Sequence, residues 1–345
     1  MKAYIYKGKD DLAIAEAPTP SCEPGGAVVR VLSASICGTD VRAHRFGNAK
    51  ITPPRIVGHE LCGEIVEFDD AVEGFAQGDR VLVAPAIGCG RCRPCRAGRT
   101  NMCDNLKTLG FDYEGAFAEF MAIPPQAFAM GNVIGVPDGV PVDTVPLAEP
   151  LACCINGQSY LDIGPGDTVL IFGAGFIGCM HAELARRAGA RDVFMVEPAR
   201  DRLGRAAELV DGLTPIDPNE TDLHERIMDV TGGRGIDVAI TACPAGQAQK
   251  DAQALAAKCG RLSLFGGLPG DSAGWIDSNI IHYKELSVFG AHASTPDQNR
   301  QALETIARGE LNVEPYFGGT VPLERIEDAF EALAGEGAFK MIVNP

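Results

Sequence analysis

The chain has 345 residues, enough for about two domains that each bury a core of their own. Its 46% hydrophobic and 22% charged residues are ordinary for a water-soluble globular protein. The formal net charge of −16 argues against nucleic acid or a membrane surface as partner, because both attract basic patches.

In chain order, the opening residues Met1 to Glu16 alternate charged and apolar side chains and lack the apolar core of a signal peptide. Short strand-like runs follow: Ala27 to Ala34, Glu64 to Phe68, and Val81 to Val83. Glycines and prolines recur between them, which predicts an all-β barrel or sandwich. Next comes the densest motif of the chain, C-x2-C-x2-C-x7-C, formed by Cys89, Cys92, Cys95 and Cys103. Four thiolates this close can surround one Zn2+ tetrahedrally, leaving no open position, so the ion would be structural. Two disulfides fit poorly with a chain that shows no secretory feature. An iron–sulfur cluster also takes four cysteines, but its usual run ends C-x3-C-P. Twelve cysteines in such a chain point to a reducing, cytoplasmic setting.

After Glu149-Pro150-Leu151 the rhythm changes to strand–helix alternation. A buried strand at Val169 to Phe172 precedes a helix over about Ile177 to Ala188, and strands follow at Val193 to Val196, Ile236 to Ile240 and Arg261 to Phe265. That pattern predicts an α/β domain with a doubly wound parallel sheet. Val169 to Met180 is the longest apolar stretch, but it is short and holds three glycines, so no bilayer span is expected. The tail from about Ser294 offers two helical stretches and a strand, Met341 to Val343, that can return to the first domain.

Between the first strand and helix of the α/β part lies Gly173-Ala174-Gly175-Phe176-Ile177-Gly178. This G-x-G-x-x-G stands in the context that makes it a dinucleotide fingerprint. Gly173 makes the turn, Gly175 admits a pyrophosphate, and Gly178 lets helix and strand close up. Free N–H groups around Phe176 and Ile177 open the helix toward the anion. Glu197, nineteen residues after Gly178, ends the next strand where a carboxylate can bind the adenosine ribose. Its charge favours NAD over NADP, although Arg200 and Arg202 lie close behind. A glycine turn that binds no nucleotide is the alternative.

Three further segments are weak alone: Cys37-Gly38-Thr39-Asp40, Gly58-His59-Glu60, and Glu149-Pro150-Leu151. In this order, with the four-cysteine lobe and the glycine fingerprint, they resemble the zinc-dependent medium-chain dehydrogenase/reductases over essentially the whole chain. Glutamate in the E-P segment resembles the polyol (sorbitol-type) and threonine dehydrogenase branch. The resemblance implies a GroES-like β-barrel catalytic domain at 1–150, completed by 294–345, and a Rossmann NAD-binding domain at 151–293. It also implies two zinc ions per chain and assembly as a homodimer or homotetramer.

Under that resemblance, Cys37, His59 and Glu149 hold a catalytic zinc with an open position, and Glu60 either binds the ion or stands beside it. Such an ion polarises an alcohol oxygen and lowers its pKa, while the nicotinamide takes the hydride. Thr39 matches the residue that hydrogen-bonds the substrate oxygen. Many relatives place a histidine five residues after the cysteine ligand as proton relay. Here that position is Arg42, which stays charged and cannot relay a proton. His44 is the candidate substitute, with a surface histidine as the simpler alternative. The expected reaction is reversible oxidation of a secondary alcohol on a polyol or sugar-derived substrate. L-Threonine 3-dehydrogenase is the runner-up, and a non-catalytic dinucleotide-binding protein is the reading from another class.

Overall fold

The structure, a computed structural model, describes residues 1–268, 274–335 and 338–345. It contains two compact units, Met1–Ala152 with Ala293–Pro345, and Cys153–His292.

The first unit opens with the antiparallel pair β1 (Lys2–Gly8) and β2 (Asp11–Glu16), then β3 (Ala27–Ser35) and helix α1 (Gly38–Phe46). Next come β4 (Arg55–Ile56), β5 (Leu61–Phe68), β6 (Arg80–Val83) and β7 (Ala86–Ile87). Helix α2 (Arg93–Arg96), β8 (Lys107–Thr108), β9 (Phe120–Ile123), α3 (Pro125–Ala129) and β10 (Val133–Gly135) lead to α4 (Ala148–Gln158). Strand β3, rich in β-branched residues, keeps only Arg30 exposed, which suits the centre of a sheet.

The second unit alternates strand and helix. It runs β11 (Thr168–Phe172), α5 (Phe176–Arg187), β12 (Asp192–Val196), α6 (Arg200–Leu209), β13 (Leu213–Ile216) and α7 (Leu223–Val230). It continues with β14 (Ile236–Thr241), α8 (Gly246–Leu255), β15 (Ala256–Leu264), α9 (Ser278–Lys284) and β16 (Ser287–Gly290). The six strands are parallel and ordered β13-β12-β11-β14-β15-β16, with β11 central and buried at every residue. Counted from β11 this is 3-2-1-4-5-6, the doubly wound order of dinucleotide-binding sheets, and it opens a crevice at the carboxyl ends of the strands.

The chain then returns to the first unit through α10 (Pro296–Ala307), β17 (Phe317–Pro322), α11 (Ile326–Ala334) and β18 (Lys340–Asn344). The larger sheet runs β10-β6-β5-β3-β18-β17, with β9 also paired to β3. Thus β3 carries β5, β9 and β18 along its length, and the last strand of the chain is part of the first unit's sheet. A core including Tyr4, Ile65, Phe117, Ile326 and Met341 packs against it.

Three sequence expectations change in detail. The first part is not purely β, because Cys37 caps α1 with Asp40 at the third helical position completing the capping box. The strand expected at Arg261 begins at Ala256, directly after α8. Helix α9 and edge strand β16, absent from the sequence reading, complete the parallel sheet. Among the described residues no helix is long and apolar enough to cross a membrane.

Candidate active site

Strand pairing builds the first site. The Ser35 N–H donates to Glu60 O at 3.0 Å, and the Ile36 N–H donates to Met341 O at 3.1 Å. The end of β3, the residues before β5 and the start of β18 therefore meet at one corner. Cys37 follows β3 as the cap of α1, and His59 and Glu60 precede β5. Gly58, at φ +95°, makes the bend before His59, and a Cβ there would lie 2.8 Å from the Phe117 ring.

At this corner Cys37, His59 and Glu60 each place a donor atom within 4.8 Å of the others. His59 and Glu60 are buried. The His59 Nδ1 lies 3.6 Å from Asp40 Oδ1, while Asp40 Oδ2 accepts the Cys37 N–H at 2.9 Å. Burial disfavours charge on His59, yet Asp40 and Cys37 outweigh it and hold the imidazole well above the ordinary histidine pKa. Sulfur, imidazole and carboxylate are all donors that zinc takes, and three at this spacing fit one ion. The buried His59 Nδ1 makes no hydrogen bond, its partner being the Asp40 carboxylate at the longer ion-pair distance of 3.6 Å.

Glu149 is buried in the first turn of α4, which follows a 3-10 turn packed on β3 and β5. It is not one of the mutually close trio, but its charge acts on Lys340, as do those of Glu60 and Cys37. Thr39 is half-buried in the first turn of α1, and its hydroxyl accepts a hydrogen bond from Arg42 Nη2 at 3.3 Å. His44 makes its contacts on another element: Nε2 is 2.9 Å from Glu327 Oε2, and the ring stacks on Phe330 of α11. Glu327 also accepts the Tyr4 hydroxyl at 2.6 Å. The histidine expected to serve Thr39 instead braces α1 against α11.

The second cluster is the four-cysteine lobe, whose sulfurs all lie within 4.8 Å of one another. The Cys103 sulfur accepts the N–H groups of Cys89 at 3.1 Å and Asn105 at 3.3 Å. Backbone N–H groups of Arg91 and Cys92 lower the Cys89 thiol to about 6, whereas burial raises Cys95 to about 12. Local amides favour some thiolates, and a divalent ion would supply the compensation the others need. The twelve cysteines are free of disulfides.

In the second unit, Gly173 has φ +103°, and Gly175 caps α5 with open space where a side chain would project. A Cβ on Gly178 would lie 1.9 Å from Gly173 O, so no other residue fits there. Phe176 is buried and Ile177 half-buried in the first turn of α5. The Glu197 carboxylate, buried at the end of β12, accepts the Ala174 N–H and the Ala199 N–H, both at 3.0 Å. It holds the shape of the glycine turn, and each oxygen keeps a second lone pair. Arg200 pairs with Glu220 at 2.8 Å, and Arg202 is half-buried in α6. The open cradle at Gly175 and the amides at the head of α5 fit a pyrophosphate.

The sequence reading missed Lys340, Ser35 and the contact of Asp40 with His59. A lysine opening the apolar strand Lys340-Met341-Ile342-Val343 was the visible signal for the first of these.

Sheet order, glycine turn and zinc-type donor clusters together define a dinucleotide-dependent oxidoreductase with metal sites. Comparison with known proteins agrees. Residues 23–138 match the alcohol dehydrogenase GroES-like domain family, and residues 177–308 match the zinc-binding dehydrogenase family. The L-threonine 3-dehydrogenase of Pyrococcus furiosus is 34% identical over 95% of this chain and 94% of its own. A candidate zinc-binding dehydrogenase from Sinorhizobium meliloti 1021, solved bound to NADP, is 31% identical with a TM-score of 0.91, covering 100% of this chain and 99% of that one. The 2R,3R-butanediol dehydrogenase of Bacillus subtilis is 27% identical with a TM-score of 0.90 at the same coverage. The chain belongs to the zinc-dependent medium-chain dehydrogenase family.

Proposed function

We propose that this dehydrogenase reversibly oxidises a secondary alcohol with NAD as hydride acceptor, using Cys37, His59 and Glu149 as ligands of a catalytic zinc, with Glu60 bound to the ion or directly beside it. The observation that carries this reading is the Cys37–His59–Glu60 corner, with His59 and Glu60 buried and the charge of buried Glu149 acting on the same Lys340 as Glu60 and Cys37. When bound, a zinc ion there polarises the alcohol oxygen and lowers its pKa, and a bound nicotinamide takes the hydride. Asp40 keeps the His59 ring in place. Thr39 hydrogen-bonds the substrate oxygen and, on taking its proton, releases its own hydroxyl proton towards solvent. Arg42 donates to the Thr39 oxygen and stays charged, so it orients the hydroxyl without carrying the proton onward.

Gly173, Gly175 and Gly178 cradle the pyrophosphate, with Phe176 and Ile177 in the turn of helix that receives it. Glu197 accepts the ribose hydroxyls and repels a 2′-phosphate, which supports NAD over NADP. Arg202 follows Glu197 by five residues, in α6. The second zinc, held by Cys89, Cys92, Cys95 and Cys103, is structural. The chain acts as a cytoplasmic homodimer or homotetramer.

A polyol is the first substrate reading, supported by Glu149 at the ligand position and by the likeness to a butanediol dehydrogenase. L-Threonine is the second, supported by the 34% identity to an L-threonine 3-dehydrogenase. Both offer a secondary alcohol beside a polar carbon. Reduction of NAD and of NADP followed by absorbance, with sorbitol, xylitol, 2,3-butanediol, L-threonine and ethanol, separates them. Turnover of L-threonine alone would replace the polyol reading, and equal efficiency with NADP would remove the role given to Glu197.

A further inference from the structure

We propose that Glu220 is a specificity-determining residue for the dinucleotide, acting through Arg200: its carboxylate engages the guanidinium that a 2′-phosphate beside Glu197 would otherwise take. The inference deepens the reading above, on which it rests, that the adenosine ribose sits at Glu197. It assigns part of the cofactor choice to a different connection of the sheet, the one that follows edge strand β13.

The fold brings the two connections together. Strands β12 and β13 are parallel neighbours with Val196 level with Ile216, and the Glu197 N–H donates to Ile216 O at 3.3 Å. Beyond Ile216 the chain folds into a tight turn around Asp217, whose carbonyl accepts the N–H groups of Glu220 and Thr221, both at 3.2 Å. Asp217 Oδ1 also accepts the Asn219 N–H at 2.8 Å. This turn is tied back to the connection that carries Glu197, because Asn219 Nδ2 donates to Pro198 O at 3.2 Å. Glu220 is thereby set against the head of α6, where its Oε1 lies 2.8 Å from Arg200 Nη1. On the other side, Glu197 Oε1 accepts the N–H of Ala199, the residue next to Arg200.

A groove of about 270 Å³ opens between α6 and this turn, and its charged lining is Arg200 and Arg226 against Asp217 and Glu220. Two guanidinium groups and two carboxylates balance. A guanidinium at a helix N-terminus is well suited to a phosphate, which it can meet with two parallel hydrogen bonds. Left free, Arg200 would offset the repulsion that Glu197 exerts on a 2′-phosphate. Paired with Glu220, it leaves that repulsion intact. The pair is exposed, 79% and 57% for the two side chains, so its effect is a matter of a few fold. Glu197 sets the direction of the preference and Glu220 widens it.

Binding of NADH and NADPH to the full chain, followed by nicotinamide fluorescence, tests this without a known alcohol. Glu220→Gln is expected to tighten NADPH about fivefold and to leave NADH unchanged. The double variant Arg200→Ala/Glu220→Gln should bind NADPH no tighter than Arg200→Ala alone, because the gain passes through the guanidinium. An unmoved ratio of NADPH to NADH affinity in Glu220→Gln overturns the proposal, as does equal weakening of both, which a merely structural brace predicts. The same gain in the Arg200→Ala background also overturns it, since loss of one negative charge would then be the whole effect. Glu197→Ala tests the reading beneath separately: an unmoved ratio there sinks the ribose role of Glu197, whereas an unmoved ratio in Glu220→Gln alone sinks only the role of Glu220.

Discussion

The two metal-type clusters of the first unit are built in opposite ways. The four-cysteine lobe draws its donors from fifteen consecutive residues, Cys89 to Cys103, with Cys89 and Cys92 half-exposed. Nearby backbone amides tune its sulfurs. The other corner gathers Cys37, His59, Glu60 and Lys340 from strand ends more than 300 residues apart, and buries the charged groups at its centre. A site made by local spacing is closed and self-sufficient. A site made by strand pairing holds groups that sequence proximity does not supply, including a countercharge, and chemistry needs that control.

The largest expected effect breaks the strand-paired corner alone. His59→Ala should lose one zinc and, with it, several kcal/mol of transition-state stabilisation, about 10³-fold or more in kcat. Dinucleotide affinity, measured by titration calorimetry, should be unchanged, because the glycine turn belongs to the other unit. Gentle chelation should act in the same order, ending alcohol oxidation before it empties the four-cysteine lobe. Metal-free protein that turns over at the normal rate would end the zinc reading.

Breaking the four-cysteine lobe should do the reverse. Cys95→Ser should lose one equivalent of zinc by elemental analysis and lower Tm by roughly 5 °C or more, while the surviving protein keeps turnover. Full zinc content in that variant would show that the lobe is not a zinc site.

The same contrast reappears in the second unit, where His181 of α5 is fully buried with Nδ1 3.2 Å from Gln158 Nε2. Burial pushes its pKa down to about 3 from the ordinary 6.5. The unfolded chain therefore binds a proton that the folded one refuses. The His181 contribution is fully present above pH 6.5 and is lost as pH falls toward 3, by about 1.4 kcal/mol per unit. Urea unfolding at pH 4.5 and 7.5 should show a shallower acid loss in His181→Gln, by about 3 kcal/mol. Equal slopes would place the acid sensitivity elsewhere.

The smallest effect concerns Glu197. Glu197→Ala should weaken NAD binding about tenfold, through loss of the ribose acceptor and of the Ala174 tether, and should relax discrimination against NADP. An unchanged ratio of NAD to NADP efficiency would move cofactor choice to Arg200 or Arg202.

What the chain's sequence determined by itself is what short spacing can encode. The four cysteines declare their cluster because every donor lies in one loop. The glycine fingerprint declares a turn because only glycine tolerates φ +103° at Gly173 and the contact of Gly178 with Gly173 O. Strand–helix alternation declares the parallel sheet, since each buried strand needs helices to cover it. Tertiary structure decided the rest. His44 turned to Glu327 because α11 packs beside α1, a neighbour its own loop does not reveal. Glu197 became a brace for the glycine turn because β12 ends beside Ala174. Lys340 reached Cys37 and Glu60 only because β18 closes onto β3 in one antiparallel register, and a buried charge takes its meaning from the partner that register supplies.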